Sequence, residues 1–329
     1  MTPTRILVTG GAGFIGSHYV RTLLGPDGPG DVSVTVLDAL TYAGNPANLD
    51  EVRDHPGLAF VHGDICDAEL VGRLMAGHDQ VVHFAAESHV DRSIDGGAAF
   101  VRTNVTGTHT LVHAAHEAGV DTFVHVSTDE VYGSVDEGSW TEDEPLAPNS
   151  PYSASKASSD LIALAYHRTH GLDVRVTRCS NNYGHHHFPE KVIPLFVTNL
   201  LEGRPVPLYG DGAHVRDWLH IDDHVQGIEL VRTKGRPGEV YNIGGGTELS
   251  NKELTRLLLE ACDADWDTDV IHVEDRKGHD RRYSVDCTKI REELGYAPRK
   301  DFAAGLAETV RWYRENRSWW EPLKERAAL

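Results

Sequence analysis

Basic residues are scarce: 31 Lys+Arg stand against 50 Asp+Glu in 329 residues, a formal charge of −19. That deficit excludes a nucleic-acid backbone or an anionic membrane as main partner, since both demand a basic surface. Cysteine is scarcer still. Cys66, Cys179, Cys262 and Cys287 are scattered and form no C-x-x-C pair, which removes zinc-finger and disulfide-scaffold readings. No apolar run approaches the ~20 residues needed to cross a bilayer, and Arg5 leads into a strand rather than a signal-peptide h-region. The expectation is an acidic cytoplasmic protein without a metal centre. A hydrophobic content of 40% is ordinary for a folded globule, and the length suggests two or so domains at roughly 100–200 residues each.

What is present begins with Arg5-Ile6-Leu7-Val8-Thr9, an apolar strand running into Gly10-Gly11-Ala12-Gly13-Phe14-Ile15-Gly16, with a helix from Ser17 to Leu24. Strand, glycine turn and helix in that order form a pyrophosphate cradle. Gly10 permits the tight turn, Gly13 admits the phosphates close to the backbone, and Gly16 lets helix and strand pack. The helix start offers unpaired N–H groups and a positive dipole. A second strand, Val32 to Leu37, ends at Asp38, where a carboxylate suits adenosine ribose hydroxyls and repels a 2′-phosphate, favouring NAD over NADP.

Further strands recur: Leu58 to His62, Gln80 to Phe84 and Thr122 to Val126, with helical stretches between them such as Asn104 to Ala118. The alternation predicts a Rossmann-type, doubly wound parallel sheet with helices on both faces. Ligands bind at the carboxyl ends of such strands. There lie Asp64 and Ile65, a wall for adenine; Ala85 and Ala86, small enough to let a cofactor pass; and Ser127-Thr128-Asp129-Glu130. Thr103 is a further candidate for cofactor contact and Ser88 for substrate. Tyr152-x-x-x-Lys156 opens the next helix, placing phenol and ammonium on one face. A phenol of ordinary pKa about 10 becomes a usable base when a cation stabilises its anion.

The glycine loop, Asp38, Asp64, Ser127 and Tyr152-x-x-x-Lys156 resemble the extended short-chain dehydrogenase/reductase superfamily. More narrowly, Phe84-Ala85-Ala86-Glu87-Ser88-His89-Val90-Asp91, Ser127 to Gly133 and Asn181-Asn182-Tyr183-Gly184 resemble the dTDP-glucose 4,6-dehydratases, nearly end to end. The resemblance implies tightly bound NAD that is regenerated each turnover, and a dTDP-sugar substrate. It implies that Tyr152 takes the C4 hydroxyl proton with Thr128 holding that oxygen, that Glu130 removes the C5 proton, and that Asp129 protonates the departing C6 hydroxyl before hydride returns to C6. Adjacent carboxyls suit such a reaction, because like charges push their pKa values apart into one acid and one base. It further implies that Asn182 contacts the cofactor, while Asn181, Lys191, Val192, Pro207, Tyr209, Arg216, Asn251, His279 and Arg281 form the nucleotide-sugar site. Finally it implies a homodimer built on two helices per subunit, Asn104 to Ala118 and Ser155 to Thr169.

The second half is less regular and reads as a smaller mixed α/β substrate-binding domain. The expected division is discontinuous: residues 1–184 plus about 216–243 for NAD, and about 185–215 plus 244–329 for the nucleotide sugar. Val240 to Gly246 reads as a strand and turn rather than a second nucleotide loop, and Ser250 with Glu253 as a capping box. His185-His186-His187 and Lys277 depart from the family pattern; the triplet reads as a loop edge near the sugar, not a metal site. Two further readings remain: another nucleotide-sugar 4,6-dehydratase or 4-epimerase, and a non-catalytic NAD-sensing protein. Asp129-Glu130 separates the first reading from an epimerase, and Tyr152 with Lys156 separates it from a sensor.

Overall fold

The computed structural model describes residues 3–327. Seven strands form a wholly parallel sheet: β1 (Thr4–Thr9), β2 (Val32–Asp38), β3 (Leu58–His62), β4 (Gln80–His83), β5 (Thr122–Thr128), β6 (Val174–Cys179) and, after three strands lying elsewhere, β10 (Val240–Ile243). Their spatial order, β10-β6-β5-β4-β1-β2-β3, runs outward in both directions from β1. The chain reverses its progress between β1 and β4, and that crevice is where such sheets take ligands. The parallel β1 register puts Ile6 opposite Val34 and Val8 opposite Val36, with all four buried.

Alternate strand residues enter two different cores. Ile6 and Val8 pack with α1 (Phe14–Leu24) and residues such as Val225 and Ile228, whereas Leu7 packs on the other face with Val71, Leu111, Val112, Ala163 and Leu164. The helices of this second face are α2 (Ala68–Met75), α5 (Thr108–Ala118) and α6 (Pro151–His170); α3 (Val90–Asp95), α4 (Gly97–Phe100) and a wide helical turn over Val101–Gly107 lead into α5. α6 starts sharply because Ser150 and Ser153 cap each other's backbone and Pro151 takes the first position; it stops at Gly171, whose φ of 74° is left-handed.

The remaining elements build the second half: β7 (Asn181–Tyr183), α7 (Val192–Leu201), β8 (Val206–Tyr209), β9 (Val215–His220), α8 (Ile221–Lys234), β11 (Glu248–Ser250), α9 (Asn251–Ala261), α10 (Trp266–Asp269), β12 (Val270–Val273), α11 (Thr288–Leu294), α12 (Phe302–Glu315) and α13 (Arg317–Ala327). β9 pairs with β7 in parallel and with β11 antiparallel, and β12 pairs with β8 in parallel. A separate core forms here from α7, α9, α12 and α13, centred on Phe196, Leu258, Tyr313 and Trp320. α9 begins with the Ser250–Glu253 capping box. The mixed sheet and this core stand over the carboxyl end of the parallel sheet, closing one side of the crevice.

Candidate active site

A cavity of about 600 Å³ occupies the crevice. Its floor is the glycine turn. Gly10 has a φ of 69°, and a Cβ there would lie 2.6 Å from the Ala85 backbone nitrogen; a Cβ on Gly16 would meet the Gly10 carbonyl oxygen at 2.3 Å. Both positions therefore require glycine. α1 has Gly13 at its N-cap and no side chain capping its first turn, leaving N–H groups free for phosphate oxygens. Asp38, at the end of β2, accepts from Ala12 N at 2.9 Å and Leu40 N at 2.8 Å, which fixes its carboxylate beside the turn. Burial pushes the Asp38 carboxyl up despite those two bonds. The donor set, the uncapped helix and the absence of room for side chains at the turn fit a dinucleotide.

Around this floor, Phe14, Ile15, Asp64, Ile65, Ala85, Ala86, Thr103, Ser127 and Asn182 all line the cavity. The Asp64 carboxylate is taken up by Arg102 at 2.8 Å. Asn182 is oriented by Ser180 O and by the His224 ring, 2.9 and 2.8 Å away.

The strand β5 delivers three reactive groups in succession. Thr128 caps the short turn after it, accepting from Glu130 N and donating to Asp129 Oδ1, both at 3.2 Å. Asp129 is 2% exposed. Its carboxyl is driven well up by burial, then by the neighbouring Glu130 and Asp217, so it holds its proton. Glu130 is also raised by burial, but Arg276, Lys191 and Arg216 pull it back toward the ionised form. Two adjacent carboxyls thus occupy unlike electrostatic settings, as one acid and one base require.

Tyr152 and Lys156 reach the same cavity from the first two turns of α6. Burial drives the Tyr152 phenol well above its ordinary range, helped by Glu130, while a hydrogen bond with Thr128 eases it. The Lys156 ammonium donates to Val126 O at 2.8 Å, and burial lowers it to about 8. The ammonium is thus bonded to the strand rather than to the phenol.

On the opposite wall, Ser88, Asn181, Lys191, Val192, Pro207, Tyr209, Arg216, Asn251 and His279 line the cavity. Lys191 donates to Ser88 O at 2.7 Å, and Arg216 lies over the Tyr283 ring with its guanidinium bonded to Asp280 O at 2.9 Å. Arg281 does not reach the cavity: its side chain is half exposed and faces Asp211 at 3.3 Å. The third cation is instead Arg276, which lines the cavity 3.8 Å from Asp91. Its signal lay in the Arg276-to-Asp280 loop, where Gly278, with a φ of 65°, turns the chain so that residues 276 and 279 both face inward.

His185 to His187 join lobes of the structure rather than touching the sugar side alone. His187 stacks on Phe14 at 4.1 Å and lines the cavity, while His186 packs on Trp312 at 4.4 Å. His214, Asp275 and His279 also cluster, but the two imidazoles lie face to face at 3.7 Å; His279 hydrogen-bonds the carboxylate at 2.6 Å, and His214 lies 3.4 Å from its other oxygen. The loop after β2 is tied across the cavity mouth: the Tyr42 ring lies under Arg92 at 4.0 Å and against Phe188, and Arg92 reaches Glu190 at 3.3 Å.

A family model described as GDP-mannose 4,6 dehydratase matches residues 7–309. The chain is 69% identical over 326 residues to a dTDP-glucose 4,6-dehydratase of Streptomyces griseus, covering 99% of each chain. Among solved structures, it is similar to a dTDP-glucose 4,6-dehydratase from Streptomyces venezuelae with NAD and dTDP bound, with a TM-score of 0.95, 66% identity and coverage of 97% and 100%. It is also similar to a Thermotoga maritima UDP-glucose 4-epimerase, with a TM-score of 0.88, 33% identity and coverage of 95% and 100%.

Proposed function

The chain belongs to the GDP-mannose 4,6 dehydratase family, and from that premise we propose that it is an NAD-dependent dTDP-glucose 4,6-dehydratase, a hydro-lyase that forms dTDP-4-keto-6-deoxyglucose. The observation that carries this reading is the pair of buried Asp129 and half-buried Glu130 facing the same cavity as Tyr152 and the glycine turn. An epimerase shares the fold but has no use for an acid and a base at C6 and C5.

NAD bound at the glycine turn would supply the hydride acceptor for C4 and the hydride for C6. Around it, the first turn of α1 holds the phosphates and Asp38 the adenosine ribose. Tyr152, in the phenolate form that the Lys156 ammonium and the nicotinamide cation would stabilise, takes the C4 hydroxyl proton while Thr128 steadies the oxygen. The ketone acidifies C5, Glu130 takes that proton, and the protonated Asp129 gives its proton to the C6 oxygen, which leaves as water. Glu130 then hands its proton back to C5, and the site is reset when Tyr152 sheds its proton to solvent and Asp129 takes one up. Lys191, Arg216 and Arg276 hold the diphosphate, guanidinium planes matching phosphate oxygens. His279, Tyr209, Pro207 and Asn251 supply the rest of the nucleotide wall.

We also infer a discontinuous division, with residues 1–184 and about 216–243 serving the cofactor and about 185–215 with 244–329 the nucleotide sugar; β10 in the parallel sheet and the separate core around Trp320 support it. A homodimer through α5 and α6 is supported by Val101 and Leu161, large apolar side chains 55% exposed on this side of the sheet. The nucleotide ligands and four free cysteines suit a reducing cytoplasm. No helix among the described residues is long and apolar enough to cross a membrane. The test is incubation with dTDP-glucose followed by the alkali-induced absorbance of a 4-keto-6-deoxy sugar. Product is expected; intact protein holding NAD that forms none would overturn the reading.

A further inference from the structure

Tyr152, Lys156 and Asp160 follow one another at four-residue intervals on α6, and all three are buried, Asp160 completely. This spacing sets them along one face of the helix, with Asp160 one turn beyond the ammonium. The Asp160 carboxylate is bonded to β6 on one side and lies against β5 on the other. Oδ2 accepts from Arg178 Nε on β6 at 2.9 Å, and Oδ1 lies 3.2 Å from His125 Nε2 on β5. Arg178 is fixed in turn by the Tyr132 hydroxyl at 2.8 Å, which donates to Asn242 Oδ1 on β10 at 2.9 Å.

The titratable groups surrounding Lys156 come from every element packed there: His83 on β4, His125 on β5, Cys179 and Arg178 on β6, Tyr152 and Asp160 on α6. Burial keeps both imidazoles neutral, pushes the Cys179 thiol up to about 12 and keeps the Tyr152 phenol protonated. Of these groups only Asp160 is an anion: burial would raise it, but its His125 and Arg178 contacts hold it at about 2. Without it, two cations would share an apolar interior. Burial penalises an unpaired charge heavily, and Lys156 is the one that can shed its proton.

We propose that Asp160 is a positioning residue for the Tyr152–Lys156 pair: its buried carboxylate, bonded to β6 and set against β5, is the counter-charge that keeps the ammonium protonated beneath the reacting phenol. This rests on the catalytic reading of Tyr152 and Lys156, yet no contact of Asp160 with substrate or cofactor is involved.

The test compares Asp160→Asn, Asp160→Glu and the double variant Asp160→Asn/Arg178→Met as holoenzymes. Two readouts are followed: the Lys156 ε-carbon titration by NMR on ¹³C-lysine protein, and the pH profile of kcat. In Asp160→Asn the Lys156 titration and the alkaline limb of kcat should both move to lower pH by about one unit or more, tenfold in the proton equilibrium; Asp160→Glu should restore both. The double variant removes the stranded Arg178 charge and secures folding. If Asp160 merely pairs Arg178, the double variant recovers the wild-type titration, and the proposal is overturned; if it serves Lys156, the shifted limb persists. An unmoved Lys156 titration in Asp160→Asn overturns it equally. A Lys156→Met enzyme with undiminished kcat would instead defeat the catalytic reading on which the proposal stands.

Discussion

Replacing Glu130 by Gln should halt the reaction after C4 is oxidised and before water leaves. The change is nearly isosteric and spares the local fold, because the Thr128 cap is bonded by the Glu130 backbone nitrogen rather than by its side chain. What disappears is a proton acceptor. A positioned general base contributes about 10²–10⁴-fold, or about 2.7–5.5 kcal/mol at 1.36 kcal/mol per decade. Arg276, Lys191 and Arg216 draw the wild-type carboxyl toward its ionised form, and an amide has no charged form for them to stabilise, so the upper part of that range is expected. The assay mixes enzyme with dTDP-glucose and follows two signals, the near-ultraviolet absorbance of reduced nicotinamide and the alkali-induced absorbance of product. Reduced cofactor should rise to the concentration of active sites and persist while product formation falls. Product at the wild-type rate would refute the assignment of the base. So would the absence of both signals, since Glu130 would then belong to the oxidation step.

Arg276→Ala should raise KM for the nucleotide sugar about 10–100-fold, the loss of a charged hydrogen bond of about 1.5–3 kcal/mol, whereas the exposed Arg281→Ala should stay within about twofold; initial rates decide, and equal effects would deny Arg276 its place in the cavity. Gly16→Ala forces a Cβ against the Gly10 carbonyl oxygen at 2.3 Å, so the purified variant should release far less NAD on denaturation than wild type; an equal yield would show that the turn tolerates the clash. Burial holds His89, His185, His187 and His224 near about 3, below the unfolded value of about 6.5. Stability is therefore fully present above about pH 6.5 and is lost as pH falls toward 3, at about 1.4 kcal/mol per pH unit for each group. The thermal midpoint should change little between about pH 6.5 and 8 and fall steeply below that window, and a level midpoint down to about pH 5 would contradict this. If the proposed dimer packs through α5 and α6, Leu161→Glu, at a side chain 55% exposed on α6, should sediment as a monomer without a lower thermal midpoint; sedimentation identical to wild type would deny α6 that role.

The parallel sheet and its ligand-binding end were legible because apolar runs, glycines and polar strand ends recur in order. β1 and β2 end at Thr9 and Asp38 as their sequences suggested, while β5 runs two residues past Val126, to Thr128. The placement of Asp129 and Glu130 was legible for the same reason: they follow a buried strand that has a fixed exit. Arg276 was not, because the 274–284 loop has no period from which to read which side chains turn inward, and only the left-handed Gly278 sets the direction. The direction of the Lys156 ammonium was not legible either. Helical spacing puts Lys156 next to Tyr152, but only packing shows its ammonium directed at the Val126 carbonyl, with a carboxylate one turn further on. The His185–His187 stretch was legible as a loop, but not the tryptophans more than a hundred residues away that receive His186.

The tie between Tyr42, Arg92, Phe188 and Glu190 bears on how the molecule is supplied during its life. Its two halves lie in segments that flank the cofactor floor and the sugar wall, so unthreading a dinucleotide means loosening the sugar wall as well. For an enzyme that borrows and returns a hydride within one sugar, such a tie is no hindrance. A cell would need to furnish one NAD per polypeptide at assembly, and afterwards the rate of catalysis would be insulated from swings in the free NAD pool.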